Sequence, residues 1–115
     1  YGHPAGDAVL KRACEACARA LRTEDVIARF GGEEFAVVLR GIDLKGAARL
    51  GERLRQAVSA EVVEHEGNRI QVTLSAGAAS IACCRAPSAE ELISIADRRL
   101  YAAKQAGRNR VAVED

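Results

Sequence analysis

From Asp7 to Leu21 the apolar residues recur at helical spacing, with Leu10, Cys14, Cys17 and Leu21 on one stripe at steps of four, three and four. Gly6 and Asp7 supply a start for this helix, with Asp7 near the positive end of its dipole. Two β-prone runs follow, Val26 to Phe30 and Phe35 to Leu39, and they flank Gly31-Gly32-Glu33-Glu34, which predicts a hairpin. Both glycines take positive φ at little cost, and without side chains they let a ligand approach the turn closely. Asp43 can cap a helix ending near Ser59, whose apolar face is Ala47, Leu50, Leu54, Ala57 and Val58. Glu61 to His65 and the longer run Ile70 to Ile81 read as strands joined through Glu66-Gly67-Asn68. Ser88, with Glu91 three positions later, has the pattern of a capping box. It opens a helix in which Leu92, Ile93, Ala96, Leu100 and Ala103 are expected to face inward and which Gly107 ends; Val111 to Val113 can form a last short strand. The order α-β-β-α-β-β-α-β predicts an α+β fold, a sheet with helices packed on it.

Composition narrows the function more than the fold. At 115 residues and 49% hydrophobic content the chain suits one domain. Its 17 basic and 16 acidic residues are interspersed and leave a formal charge of +1, so no long-range field steers it onto a nucleic-acid backbone. With two Phe, two Tyr and no Trp, it also lacks the stacking platforms of single-strand binders. Neither an apolar run of membrane-spanning length nor a signal peptide is present, so the segment reads as cytosolic with no membrane contact of its own. It opens at Tyr1 and contains no Met, so it is expected to be a piece of a longer protein. Cys14 and Cys17 have C-x-x-C spacing, but their place on the apolar stripe favours core packing over redox or zinc chemistry. The vicinal Cys83 and Cys84 would point to opposite faces of a strand, which suits neither a shared zinc nor an easy bridge.

Gly31-Gly32-Glu33-Glu34-Phe35 is the GGEEF form of a known signature, and three further stretches stand in order around it. These are Gly2-His3-Pro4-Ala5-Gly6-Asp7, Ser75-Ala76-Gly77, and the run from Ala96-Asp97 through Leu100-Tyr101-Ala102-Ala103-Lys104 to Gly107-Arg108-Asn109. Together they resemble the GGDEF family of diguanylate cyclases over the whole chain. The resemblance implies a palm-like, nucleotidyl-cyclase or ferredoxin-like antiparallel sheet flanked by helices. It also implies condensation of two GTP molecules into cyclic di-GMP with release of pyrophosphate. By resemblance Glu33 is a ligand of Mg²⁺ or Mn²⁺, Glu34 supports the site, Gly31 and Gly32 admit the substrate, and Asp7 accepts guanine N–H donors. Lys104 and Arg108, four apart and expected on one face of the closing helix, would hold the triphosphate.

Arg22-Thr23-Glu24-Asp25, an R-x-x-D placed just before the hairpin, resembles the family's inhibitory product site, and Arg53 resembles a further arginine of that site. The planar fork of arginine suits this, since it bonds guanine O6 and N7 and stacks on a base. The family's D-x-D-x-F-K-x-x-N-D strand, with its metal-binding Asp and guanine-contacting Asn, is absent. Residues 1–115 are therefore expected to be a GGDEF domain lacking its first strand and the preceding helix, with an incomplete sheet and no activity alone. The parent is expected to act as a homodimer, since each subunit presents one GTP, and to carry an N-terminal sensory or receiver domain. Two other readings stay open: a catalytically idle receptor for cyclic di-GMP or GTP, and a dimerisation module.

Overall fold

A computed structural model describes residues 3–115, with side chains from residue 6 onward, so the Tyr1-Gly2 start of the G-H-x-x-G-D stretch lies outside the described residues. In chain order the elements are α1 (His3–Ala20), β1 (Val26–Gly31), β2 (Glu34–Val38), α2 (Leu44–Ser59), β3 (Val63–His65), β4 (Asn68–Ile70), β5 (Ala76–Gly77), α3 (Ala89–Gln105) and β6 (Val111–Ala112), with a single 3₁₀ turn at Ile81–Cys83 before α3. The first helix begins at His3, four residues ahead of the expected start. Pro4 falls in its first turn, where a backbone N–H has no intrahelical acceptor to lose. Asp7 consequently sits a turn inside the helix and not at its positive end.

Both later helices open as their caps dictate. Asp43 accepts the Gly46 N–H at 2.8 Å, and Ser88 Oγ accepts the Glu91 N–H at 3.1 Å. Glu91 reaches past Ser88 to the backbone N–H groups of Arg85 and Ala86, at 2.7 and 3.1 Å. At the far end of α3 the Arg108 N–H bonds to the Ala103 carbonyl and the Gly107 N–H to that of Lys104, at 2.9 and 3.4 Å. That is the paired closure of a glycine-terminated helix.

The main core lies where α1 packs on α2: Cys17, Leu50, Leu54 and Val58 are buried, and Ile27, Val37, Leu39, Val72 and Leu74 close over them. A smaller cluster joins Val63 and Ile70 to Ala8 and Val9 of α1. On α3 the buried positions are Ile95, Arg99 and Ala103, spaced by four, and Ile93, expected inside, is 47% exposed. Of the residues expected inside, Ala103 is buried and Leu92, Ala96 and Leu100 are half-buried, so only Ile93 lies off the packed face, which also takes in Ile95 and Arg99.

Among the described residues the sheet is incomplete, as expected of a domain lacking its first strand. It consists of three two-stranded ladders: β1 with β2 and β3 with β4 antiparallel, β5 with β6 parallel. The expected strand from Ile70 to Ile81 is broken into β4, an unpaired stretch at residues 71–75, β5 and the 3₁₀ turn. A strand needs a neighbour to bond its N–H and C=O groups. No described strand lies between the β1–β2 hairpin and β5. One face of the hairpin packs Ile27 and Val37 on the core, while the other leaves Val26, Phe30 and Val38 more than half exposed.

Candidate functional site

The hairpin tip is built by glycine geometry. The ladder runs in register from Val26↔Val38 to Arg29↔Phe35, then shifts so that Gly31 pairs with Glu34, leaving Gly32 and Glu33 as a two-residue turn. Gly31 at φ 153° and Gly32 at φ 52° both occupy territory that side chains disfavour, and nothing lies within 4 Å of where a Cβ would stand on either. The tip is thus open to an approaching ligand. Arg29, which the sequence reading passed over, donates from Nε and Nη2 to the Gly32 carbonyl at 2.9 and 2.6 Å and fixes the turn.

Glu33 is exposed at this tip. Glu34 turns the other way, and its Oε1 lies 3.5 Å from Lys104 Nζ in the last turn of α3, 70 residues away in the chain. Both partners are partly exposed, at 33% and 44%, so the pair itself is worth at most about 1 kcal/mol. A polyanion can displace Glu34 from Lys104 at little cost.

Arg108 is not on α3. The helix ends at Gln105, Gly107 takes φ 117°, and Arg108 and Asn109 follow at φ 63° and 50°. Its spacing of four from Lys104 therefore does not place the two on one helical face. Among the described residues its guanidinium has no hydrogen-bond or ion-pair partner. Asp7 lines a cleft of about 570 Å³ between α1 and the hairpin, together with Leu10, Lys11, Arg29 and Phe35.

Among the described residues no three His, Cys, Asp or Glu side chains converge as a ready metal cage. One exposed carboxylate, Glu33, still fits Mg²⁺, which binds through one or two carboxylates and fills its shell with water and substrate phosphate. The cysteines belong elsewhere. Cys17 is 7% exposed in the core, where burial first and the neighbouring Cys14 second push its thiol up to about 11. Cys14 is half-buried beside the cleft.

The R-x-x-D stretch forms a closed unit at the start of β1. Arg22 Nη2 donates to Asp25 Oδ1 at 2.9 Å and to the Arg40 carbonyl at 3.0 Å, and Nε lies 3.2 Å from Glu24. The Asp25 side chain has no exposed surface, and the hydrogen bond from the Arg22 side chain holds its carboxyl below the usual carboxylate range. Arg22 itself stays 46% exposed. Arg53 is exposed on α2 and makes no hydrogen bond or ion pair to Arg22 or Asp25.

The family described as "Diguanylate cyclase, GGDEF domain" matches residues 1–110. Diguanylate cyclase A of Treponema denticola is 39% identical over 113 residues, 98% of this chain and 30% of that protein. Diguanylate cyclase DgcP of Pseudomonas aeruginosa is 42% identical over 113 residues, 98% of this chain and 16% of that protein. The chain thus spans less than a third of the length of either relative. Among solved structures, the P. aeruginosa diguanylate cyclase SiaD in complex with its activator SiaC superposes with a TM-score of 0.90 at 30% identity, over 99% of this chain and 43% of that one. The GGDEF domain of DgcB from Caulobacter crescentus in complex with c-di-GMP superposes with a TM-score of 0.86 at 31% identity, over 98% of this chain and 67% of that one.

Proposed function

The chain belongs to the GGDEF family, and on that premise we propose that the protein containing it is a diguanylate cyclase, which joins two GTP molecules into cyclic di-GMP and releases pyrophosphate. Each bond forms when a ribose 3′-hydroxyl attacks the α-phosphorus of the other GTP. Charge then grows on the attacking and leaving oxygens together. A divalent ion, Mg²⁺ or Mn²⁺, held by Glu33 neutralises that charge when bound. The open Gly31-Gly32 turn admits the phosphates, and Lys104 and Arg108 offset their charge where the C-terminal end of α3 would otherwise repel an anion. Glu34 holds Lys104 in place until the substrate arrives. Asp7, in the cleft beside α1, accepts guanine N–H donors.

The observation that supports this reading is the approach of Lys104 to Glu34, which sets a cation from the end of α3 against the GGEE turn. A turn of two acidic residues alone would be ordinary solvated surface. An anion-neutralising cation beside an open glycine turn is what phosphoryl transfer requires.

Several parts of the reading concern the longer protein. Each GGDEF domain presents one GTP, so the active form is a homodimer, in the cytoplasm where GTP is held. An N-terminal sensory or receiver domain controls the pairing. The second metal-binding carboxylate implied by the family resemblance is not among these 115 residues, so the segment by itself is expected to make no product. Cyclic di-GMP binds back at the site of Arg22, Asp25 and Arg53, where the exposed Arg22 and Arg53 meet the nucleotide and the covered Asp25 carboxylate orients Arg22; that a GGDEF domain holds this nucleotide is supported by the DgcB complex.

The test is turnover by the intact protein with GTP and Mg²⁺, read as cyclic di-GMP by chromatography, beside Glu33→Gln. The amide keeps the shape and loses the charge, so turnover should fall by about 100-fold or more while GTP affinity stays within a few fold. Turnover within tenfold of the unmodified protein would remove Glu33 from the metal site. No product from the intact protein would favour an idle receptor.

A further inference from the structure

We infer that Arg55 is a positioning residue: from α2 it clamps Asn109 and so fixes the left-handed turn that presents Arg108 to the triphosphate. The inference rests on Arg108 contacting GTP, as proposed above.

The turn needs an external hold. Gly107 reaches φ 117° freely, but Arg108 at 63° and Asn109 at 50° are two consecutive side-chain-bearing residues in a region disfavoured by their Cβ atoms. Four hydrogen bonds surround them. The Arg108 N–H bonds to the Ala103 carbonyl at 2.9 Å, which the end of α3 would provide in any case. The Arg108 carbonyl accepts from Arg110 Nε at 3.1 Å, and the Asn109 N–H bonds to Ser75 Oγ at 3.0 Å, just ahead of β5. The fourth comes from α2 and is made to the Asn109 side chain: Arg55 Nη1 donates to Asn109 Oδ1 at 2.9 Å across 54 residues of chain.

Arg55 is itself held. Its Nε lies 2.9 and 3.0 Å from the two carboxylate oxygens of Glu52, its Nη2 also bonds to Glu52, and its side chain is only 21% exposed. One edge of the guanidinium is therefore anchored to α2 and the other reaches the turn, a division of labour that suits a rigid fork and not an ammonium. What the clamp steadies is a guanidinium that has no partner of its own among the described residues. Strain maintained at an unpaired cation, five residues or fewer from Lys104, is the pattern of a site prepared for an anion.

The test uses the intact protein and a non-hydrolysable GTP analogue, with affinity measured by calorimetry and turnover measured beside it. Four single variants are compared, Arg55→Met, Arg55→Lys, Asn109→Gly and Arg108→Ala, and Arg55→Met and Asn109→Gly are each also combined with Arg108→Ala. Asn109→Gly adopts φ 50° without strain, so it stays folded while deleting the acceptor for Arg55. Arg108→Ala should weaken the analogue by about tenfold or more, and Arg55→Met and Asn109→Gly by about three- to tenfold each. In the Arg108→Ala background neither should weaken it further, since both act through Arg108. Arg55→Lys should restore little, because it lacks the second edge. If Arg108→Ala alone leaves affinity unchanged, the triphosphate role fails and the inference with it. If Arg108→Ala weakens binding but Asn109→Gly does not, or if Arg55→Met costs as much with Arg108 absent as present, the inference alone is overturned.

Discussion

Single residues differ most in how far burial changes their chemistry, and Cys17 of α1 is the clearest case. Its thiol is raised from 9.0 to about 11, so the folded protein resists ionising it while an unfolded chain does not. The sign follows: below pH 9 both states hold the proton and stability is unaffected, and between about 9 and 11 the unfolded state gives it up first. Stability should fall by about 2 kcal/mol between pH 8 and 10.5 from this group. Urea unfolding of the protein and of Cys17→Val at both values isolates it, since the valine variant keeps the other titrating groups. An equal drop in both would mean that Cys17 is not buried as described. Its location was legible in the sequence because an apolar stripe at helical spacing identifies a core position whatever its chemistry. Arginines were not legible by that route. Arg99, 6% exposed with Nη1 on the Ala78 carbonyl at 2.8 Å, and the half-buried Arg55 look like surface to any hydrophobic period, although Arg99 falls four residues from both Ile95 and Ala103. Position on an otherwise buried stripe could have revealed Arg99, but Arg55 stands beside the Leu50, Leu54 and Val58 stripe and not on it.

At the scale of elements, the glycines of the sequence signatures do different work. Gly77 on β5 lies directly under α3: a Cβ there would come within 2.1 Å of the Ala96 carbonyl oxygen and 2.3 Å of the Leu100 nitrogen. Those are backbone atoms and cannot swing aside, so Gly77→Ala must lift the helix off the strand. We expect a loss of about 2 to 3 kcal/mol in urea unfolding. GTP affinity should fall as well, because α3 carries Lys104. Gly32→Ala meets no atom within 4 Å, so its cost should be the smaller one of a left-handed alanine, about 1 to 2 kcal/mol. Equal losses would mean that α3 does not rest on Gly77. The starts of α2 and α3 and the hairpin were readable because caps and turn glycines are local signals, whereas α1 begins ahead of Gly6-Asp7, at His3. The long strand from Ile70 was not, since residues 71–75 have β-prone character but no described partner to bond. The same limit misplaced Arg108: Gly107 marked the end of the helix correctly, yet spacing alone then carried Arg108 onto a helical face that had already stopped.

Across the whole molecule, the two nucleotide sites proposed for this chain stand at opposite ends of β1. The Arg22–Asp25 unit precedes Val26 and the open glycine turn begins at Gly31, so six extended steps from Asp25 to Gly31, at about 3.3 Å each, separate them by about 20 Å. Product held at the first site would stand clear of a triphosphate at the second, so the proposed inhibition would act by restraining the domain and not by occupying the substrate's place. We therefore expect cyclic di-GMP to inhibit the intact enzyme without simple competition against GTP. Arg22→Ala should relieve that inhibition by about tenfold or more, since a fork serving a guanine edge and a phosphate is worth about 1 to 3 kcal/mol per contact. The substitution is mild for the fold, because Asp25 keeps the hydrogen bond from the Arg22 backbone N–H at 2.8 Å, which survives loss of the side chain. Uninhibited turnover should accordingly stay within about twofold. Calorimetry with cyclic di-GMP and initial rates across a range of GTP concentrations separate the two effects. Equal product affinity in Arg22→Ala and the unmodified protein would remove the inhibitory role from the R-x-x-D unit. A matching fall in turnover would show instead that the two ends of β1 are not separable.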